Sequence, residues 1–433
     1  MDYTTEIARA DPQRLEELYR AAEGDQQAEL FRTAMAERFR QSPDNLLYAA
    51  WHYRLAPGGI RERVERFAGA NWKLAIPLSL AAGLILWLLS DPSLVFPGGN
   101  PLLLALWAPL EAFFVLAYLM RTARRSLRSS LPAALGLLVL TVAAFAFLWY
   151  PHHSQYPMLI SIHLPLAAWS AIGLSLTGRS SGHSGRFAFL ARSLEVFGTG
   201  AIFGGAVGLF VLITSGLFQA LGIQLSDSVM RLLGVGAVGA IPVLAVASSY
   251  DPRLGPLQQR AESGLGRLIP TVMRLLLPLS LVVGAIYLAA IPFNFMAPFR
   301  SRDLLIAYNA MLFAVLALLI GATPVHQEDL PGRLGKWLRW GVMALAAIAV
   351  VIGVYALSAT VYRTLQGVPT PNRLTVIGWN CINIAILGVM LYRMVRGRPG
   401  TWSEAVHSAI GQGALAYIVW TAALVLGLPI LFP

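Results

Sequence analysis

Lys336-Trp337-Leu338-Arg339, a long apolar run, then Tyr362-Arg363-Thr364-Leu365-Gln366-Gly367-Val368-Pro369-Thr370-Pro371-Asn372-Arg373, then a second apolar run ending in Arg393, Arg396 and Arg398, is the stretch that decides the fold. Each apolar run is long enough to cross a bilayer as a helix, which takes about 20 residues. The polar corner between them falls on the face opposite the two arginine clusters. The pattern repeats outward in both directions. Of the 433 residues 56% are hydrophobic and 13% charged, against about 25% charged in a soluble domain. A water-facing surface cannot be built from so few charges. Eleven apolar runs of spanning length follow one another, at roughly 72–90, 101–120, 131–150, 157–177, 198–222, 229–249, 269–292, 303–322, 337–362, 372–394 and 405–431. The chain therefore reads as an all-α, multi-spanning membrane bundle over residues 71–433, preceded by a small polar unit over residues 1–70.

The charge distribution sets the orientation. The net charge of +11 does not mark a nucleic-acid binder, because residues 1–73 hold 11 Lys and Arg against 12 Asp and Glu. The surplus sits in short connections between runs. Arg121, Arg124, Arg125, Arg128, Arg179, Arg186, Arg192, Arg253, Arg260, Arg267, Arg274, Arg333, Lys336, Arg339, Arg393, Arg396 and Arg398 share one side, while Arg231, Arg300, Arg302, Arg363 and Arg373 lie on the other. Seventeen against five places the rich side in the cytoplasm. The N-terminus is then cytoplasmic and, after eleven spans, the C-terminus is outside. The first 70 residues lack the apolar core of a signal peptide.

Within that first unit, Asp11-Pro12 starts a helix striped by Leu15, Leu18 and Tyr19, with Asp as cap and Pro where its missing N–H costs nothing. A second helix carries Leu30, Phe31, Ala34, Met35 and Phe39. A third starts at Ser42-Pro43-Asp44 and carries Leu47, Ala50 and Trp51, until Pro57-Gly58-Gly59 breaks it. Arg61–Arg66 reads as an amphipathic lead-in at the membrane surface. The three stripes either pack on one another or dock a cytoplasmic protein partner.

Several residues go against the apolar background. Thr370-Pro371 is a strong helix start, so Arg373 falls in a first turn, where a cation opposes the helix dipole. Free N–H groups beside an arginine favour an anion. Arg373 with Arg363 either holds a phosphate or carboxylate on the outer face, or meets lipid headgroups or Asp303. Glu111 lies roughly 15 Å below Pro101 at 1.5 Å per residue, and a carboxylate at that depth must be protonated, paired or wetted. Asn380 and Asn383 share a helix face at similar depth. His163 and Asn309 lie roughly 9 Å from the outer ends of their spans. All five are reachable from outside if the spans surround one cavity. Alternatively Asn380 and Asn383 join helices and His163 is a satisfied core histidine. Gly200, Gly204 and Gly208 form a ridge suited to close helix approach. Cys381 is the single cysteine, and the His152-His153 pair has no metal-ligand spacing. No nucleotide-binding glycine loop or hydrolase motif is present, so no metal or cofactor is expected.

Tyr355-Ala356-Leu357, Tyr362-Arg363 and Gly367 followed by Thr370-Pro371-Asn372-Arg373 resemble the signature of a family of bacterial multi-spanning proteins, domain of unknown function 4153. The resemblance covers about residues 190–395, with Leu217-Phe218, Pro278 and Tyr287 in matching order. Gln366 and Val368-Pro369 depart from the family's usual tyrosine–glycine–leucine context. The resemblance implies a bacterial inner-membrane location and assigns no reaction.

The residues together lead to one expectation: a membrane protein binding or transporting an anionic or lipid-linked solute through an outward-facing polar cavity built from Arg363, Arg373, Glu111, His163, Asn309, Asn380 and Asn383. The alternatives are a transferase acting on a lipid carrier at the outer face, with Glu111 or His163 as base, and a non-catalytic assembly or sensory protein.

Overall fold

The computed structural model describes residues 7, 11–22, 25–55, 70–124, 128, 130–150, 152–178, 182–259, 265–326, 332–398 and 401–432. The Pro57-Gly58-Gly59 break, the Arg61–Arg66 lead-in, Arg125, Arg179, Arg260 and the side chain of Asp303 lie outside them. Two compact units emerge, Met1–Ala70 and Asn71–Pro433.

The first unit holds α1 (Pro12–Ala21), α2 (Asp25–Gln41) and α3 (Leu46–Leu55). Asp11 caps α1, its Oδ1 accepting from Arg14 N at 2.8 Å. Leu15, Leu18, Phe31, Ala34, Met35 and Trp51 bury together, so the stripes pack on each other. Leu30 and Ala50, read as part of those stripes, instead face outward. Arg54 lies over the Trp51 ring at 4.4 Å and pairs with Glu16 at 2.8 Å.

In the second unit, eleven helices among the described residues are long and apolar enough to cross a membrane. They are α4 (Trp72–Leu89), α5 (Leu103–Ala123), α6 (Leu131–Trp149), α7 (Tyr156–Thr177), α8 (Gly182–Ala220), α9 (Asp227–Ser249), α10 (Leu265–Ala290), α11 (Arg302–Ala322), α12 (Gly332–Leu365), α13 (Pro371–Arg396) and α14 (Trp402–Leu431). The protein is an all-α polytopic bundle. No strand occurs among the described residues, only an isolated bridge between Val95 and Pro101.

Three features differ from expectation. Arg186 and Arg192 do not sit in a connection but inside α8, whose 39 residues run about 58 Å at the usual rise. A charge can ride on a helix this way when the bundle supplies partners. Arg186 Nε donates to Gly411 O at 2.6 Å, and Arg192 binds Glu195 and Gln259 O. The buried residues of α8 all fall between Gly185 and Thr199, and its distal half is bare. The glycine ridge on that half is correspondingly not a tight interface. A Cβ on Gly200 or Gly204 would be in ordinary contact with Ile241, and one on Gly208 would meet nothing within 4 Å. The close approach occurs instead between α4 and α9. A Cβ on Gly83 would lie 2.3 Å from Gly236 O. Here α9 is irregular: a π-helical turn, Leu232–Gly236, precedes a break at Ala240. Pro242 then removes a backbone donor.

The α12–α13 bend lies at the end of the bundle opposite Arg128. Asn372 N donates to Gln155 Oε1 at 3.2 Å. Gln155 immediately precedes α7 and is separated from Arg128 by the whole of α6. At the basic end, arginines close helix termini: Arg274 Nε donates to Ala322 O at 3.1 Å and Arg339 Nη2 to Met394 O at 3.2 Å. At the other end Arg231, one of the five exceptions, pairs with Asp91 at 3.1 Å.

Candidate functional site

The sequence placed seven polar residues around one cavity. The structure distributes them over three places.

The first is the corner. Thr370 caps α13, its Oγ1 accepting from Arg373 N at 3.4 Å, with Pro371 in the first helical position. Arg373 does not aim at the helix start. Its Nη1 donates to Arg363 O and Val368 O, both at 3.0 Å. The last carbonyls of α12 lack intrahelical partners and carry the negative end of its dipole, so they draw the guanidinium across the bend. Gly367 makes room for it, since a Cβ there would meet Arg373 Nη1 at 2.9 Å. Arg373 is thus a staple of the bend as well as part of the cavity wall, and Arg363 is the guanidinium left less engaged. Its Nη1 is buried and has no hydrogen-bond partner. Asn309 is anchored by Nδ2 donating to Leu305 O at 2.8 Å, which leaves Oδ1 buried and without a partner. Both line a cavity of about 200 Å³ with Gln155, Thr360, Thr370, Asn372 and Arg373. Among the described residues, two guanidinium groups and no carboxylate belong to that lining.

The second place is the interior between α7, α13 and α14. His163 is 2% exposed. Trp379 Nε1 donates to its Nε2 at 3.1 Å, so the proton sits on Nδ1, which donates to Leu159 O at 2.6 Å. Both ring nitrogens are engaged, and the imidazole stacks on Trp379 at 5.9 Å. Tyr417 donates its hydroxyl to Asn383 Oδ1 at 2.5 Å. Asn380 is fully buried, with neither side-chain polar atom bonded. None of these three lines the corner cavity. They are enclosed by packing, which corrects the expectation that they are reached from outside.

The third place surrounds Glu111, between α5, α7, α8 and α9. A cavity of about 500 Å³ is lined by Trp107, Trp169, Phe189, Phe197 and Tyr250 among mainly apolar side chains, with Glu111 and Arg192. Its α9 lining runs from Ile241 to Val246, with Tyr250 just past the helix end, and its α8 lining from Phe189 to Gly200, which sets it toward the basic end. It shares no lining residue with the corner cavity. Glu111 is therefore not part of an outward-facing site. Its carboxyl is 6% exposed and neither oxygen has a partner. Arg192 and Glu195 form a buried ion pair, which the sequence analysis passed over by assigning Arg192 to a loop. Their three-residue spacing, which puts both on one helix face, was the available signal.

Elsewhere, His152 and His153 bond locally, to Tyr150 O and from Gln155 N. Among the described residues no group of three or more His, Cys, Asp or Glu is placed to hold a metal. Comparison of the chain with family models, curated proteins and solved structures finds no match in any of the three.

Proposed function

We propose that this membrane protein binds an anionic group, a phosphate or carboxylate borne by a solute or a lipid headgroup, in the corner cavity formed by α11, α12 and α13. The reading rests on Arg363, whose Nη1 is buried and unpartnered in a polar cavity with no carboxylate among its described lining residues. A guanidinium left in that state is costly, and a planar oxyanion would satisfy it. Asn309 Oδ1, an acceptor, would take a hydroxyl or a protonated oxygen of the same ligand. The resemblance of residues 190–395 to the bacterial family, together with the arginine asymmetry, adds a location in the bacterial inner membrane, with this cavity on the outer face and the N-terminus in the cytoplasm. Binding is better supported than passage, because His163, Asn380 and Asn383 offer no open polar route. A base role for His163 has no support either, since both its nitrogens are in use.

The test is a titration of the purified full-length protein with inorganic phosphate and, separately, with a short-chain phosphatidate, read by thermal stability. Saturable stabilisation by one of the two is expected and separates a free anion from a headgroup. Arg363→Gln should weaken it by about ten- to a hundredfold, the worth of a charged hydrogen bond. Equal affinity in wild type and Arg363→Gln would remove the reading.

A further inference from the structure

The Glu111 cavity has the opposite chemistry to the corner. Glu111 is the one acid among its described lining residues, 94% withdrawn from solvent and without a partner on either oxygen. α7 contributes Trp169 and aliphatic side chains, α9 contributes Gly239 and, just past its end, Tyr250, and α4 contributes Leu86 beside Gly83. Among the described residues only α8 brings charge, and it brings both signs: Arg192, on the cavity wall, is held by Glu195 and the Gln259 carbonyl, its Nε keeping no partner. That ion pair is neutral as a unit. Among the described lining residues, Glu111 is left as the carboxyl group able to change the net charge of the site.

The walls are aromatic. Trp169 lies 5.8 Å from Phe189 and 5.7 Å from Phe197, ring centre to ring centre, with Trp107 alongside Glu111 on α5. Aromatic faces attract cations, and most strongly where water is excluded. The volume of about 500 Å³ suits a small organic molecule. A second apolar groove, about 730 Å³, lies between α4, α8 and α9 beside the bare distal half of α8, and shares Ile241 with the cavity.

We propose that this cavity is a binding site for lipophilic organic cations, which enter it in exchange for the proton of Glu111. The carboxyl O–H gives its proton to water as the cation arrives. The carboxylate then faces the cation, and the net charge of the site is the same before and after. Of the hydroxyl groups on the cavity wall, Ser193 is engaged with Trp169 and Phe189 O and Tyr250 with Leu254 O.

Tetraphenylphosphonium is the probe, and tetraphenylborate its isostere of opposite charge. Binding of each to the purified full-length protein is measured by calorimetry from pH 6 to 8, in two buffers of different ionisation enthalpy. The wild type should prefer the cation, release a proton on binding it, and tighten by up to about tenfold per pH unit while Glu111 is protonated in the free protein. Glu111→Gln, a neutral side chain of the same shape, should lose about tenfold or more in affinity and lose the proton release. Glu111→Asp should retain both. Arg363→Gln should bind the cation like the wild type, which keeps this site separate from the corner. Equal affinity for borate and phosphonium, an unchanged Glu111→Gln, or no cation binding by the wild type would overturn the proposal.

Discussion

Asn380 and Asn383 are one helical turn apart on α13 and meet different fates. Asn383 accepts from Tyr417, whereas Asn380 has no partner on either polar atom. Replacing an unsatisfied buried amide by an apolar group of similar shape removes a desolvation cost. Asn380→Leu should therefore keep or raise the thermal stability of the protein in detergent. Asn383→Leu should lower it by about 0.5–1.5 kcal/mol, since it strips the acceptor from a buried tyrosine hydroxyl. Outside the membrane part, the hydrogen bond from Arg54 is the main cause holding the Glu16 carboxyl below its ordinary value. A lowered carboxylate stabilises the fold above its unfolded-state pKa and loses that contribution as pH falls through the folded-state value. Protection against hydrogen exchange in α1 and α3, taken relative to the intrinsic exchange rate at each pH, should fall as the medium is acidified through that range, and Glu16→Gln should flatten the response. The residue types were legible before any coordinates, because a lone acid or amide in an apolar run stands out. Their partners were not. The direction of Arg373 depended on where the last carbonyls of α12 pointed, and that is set by the bend.

Among elements, α9 carries the irregularity on which two sites lean. Its π-turn and its break at Ala240 bring Gly236 against Gly83 and Gly239 beside Glu111. Gly83→Ala would force a methyl group into Gly236 O, and neither backbone can move far. A loss of about 1–3 kcal/mol, typical of overpacking, should appear as a lowered melting temperature. Gly136→Ala, on α6 with nothing within 4 Å of its Cβ, is the matched control and should be near neutral. Element existence was readable throughout, because twenty apolar residues in a row have one low-cost conformation in lipid. The glycine signal misled, because spacing on one helix says nothing of what lies opposite. Gly200, Gly204 and Gly208 keep four-residue spacing yet border open grooves, while Gly83 and Gly236 touch without any shared pattern.

For the whole molecule, the arginine count separated the two ends, and the Gln155–Asn372 bond keeps the α12–α13 bend away from Arg128. The single-cavity arrangement failed because eleven spans make more than one interior. The corner site and Glu111 lie at different depths and between different helices. If the basic end is cytoplasmic, a cysteine placed at Val368, which is exposed, in a Cys381→Ser background should react with an impermeant thiol reagent applied to intact cells. One placed at Arg396, also exposed, should react only after permeabilisation. The reverse pattern would invert the assigned topology.

The staple at the bend bears on how the chain is made. Arg373 reaches the carbonyls of Arg363 and Val368, and Thr370 receives the amide of Arg373, so the contacts that close this turn span no more than ten residues. Nothing in it waits for α14. The pair α12–α13 can therefore form as a finished hairpin while the ribosome is still extending the last span, with Arg373 already bonded across the turn.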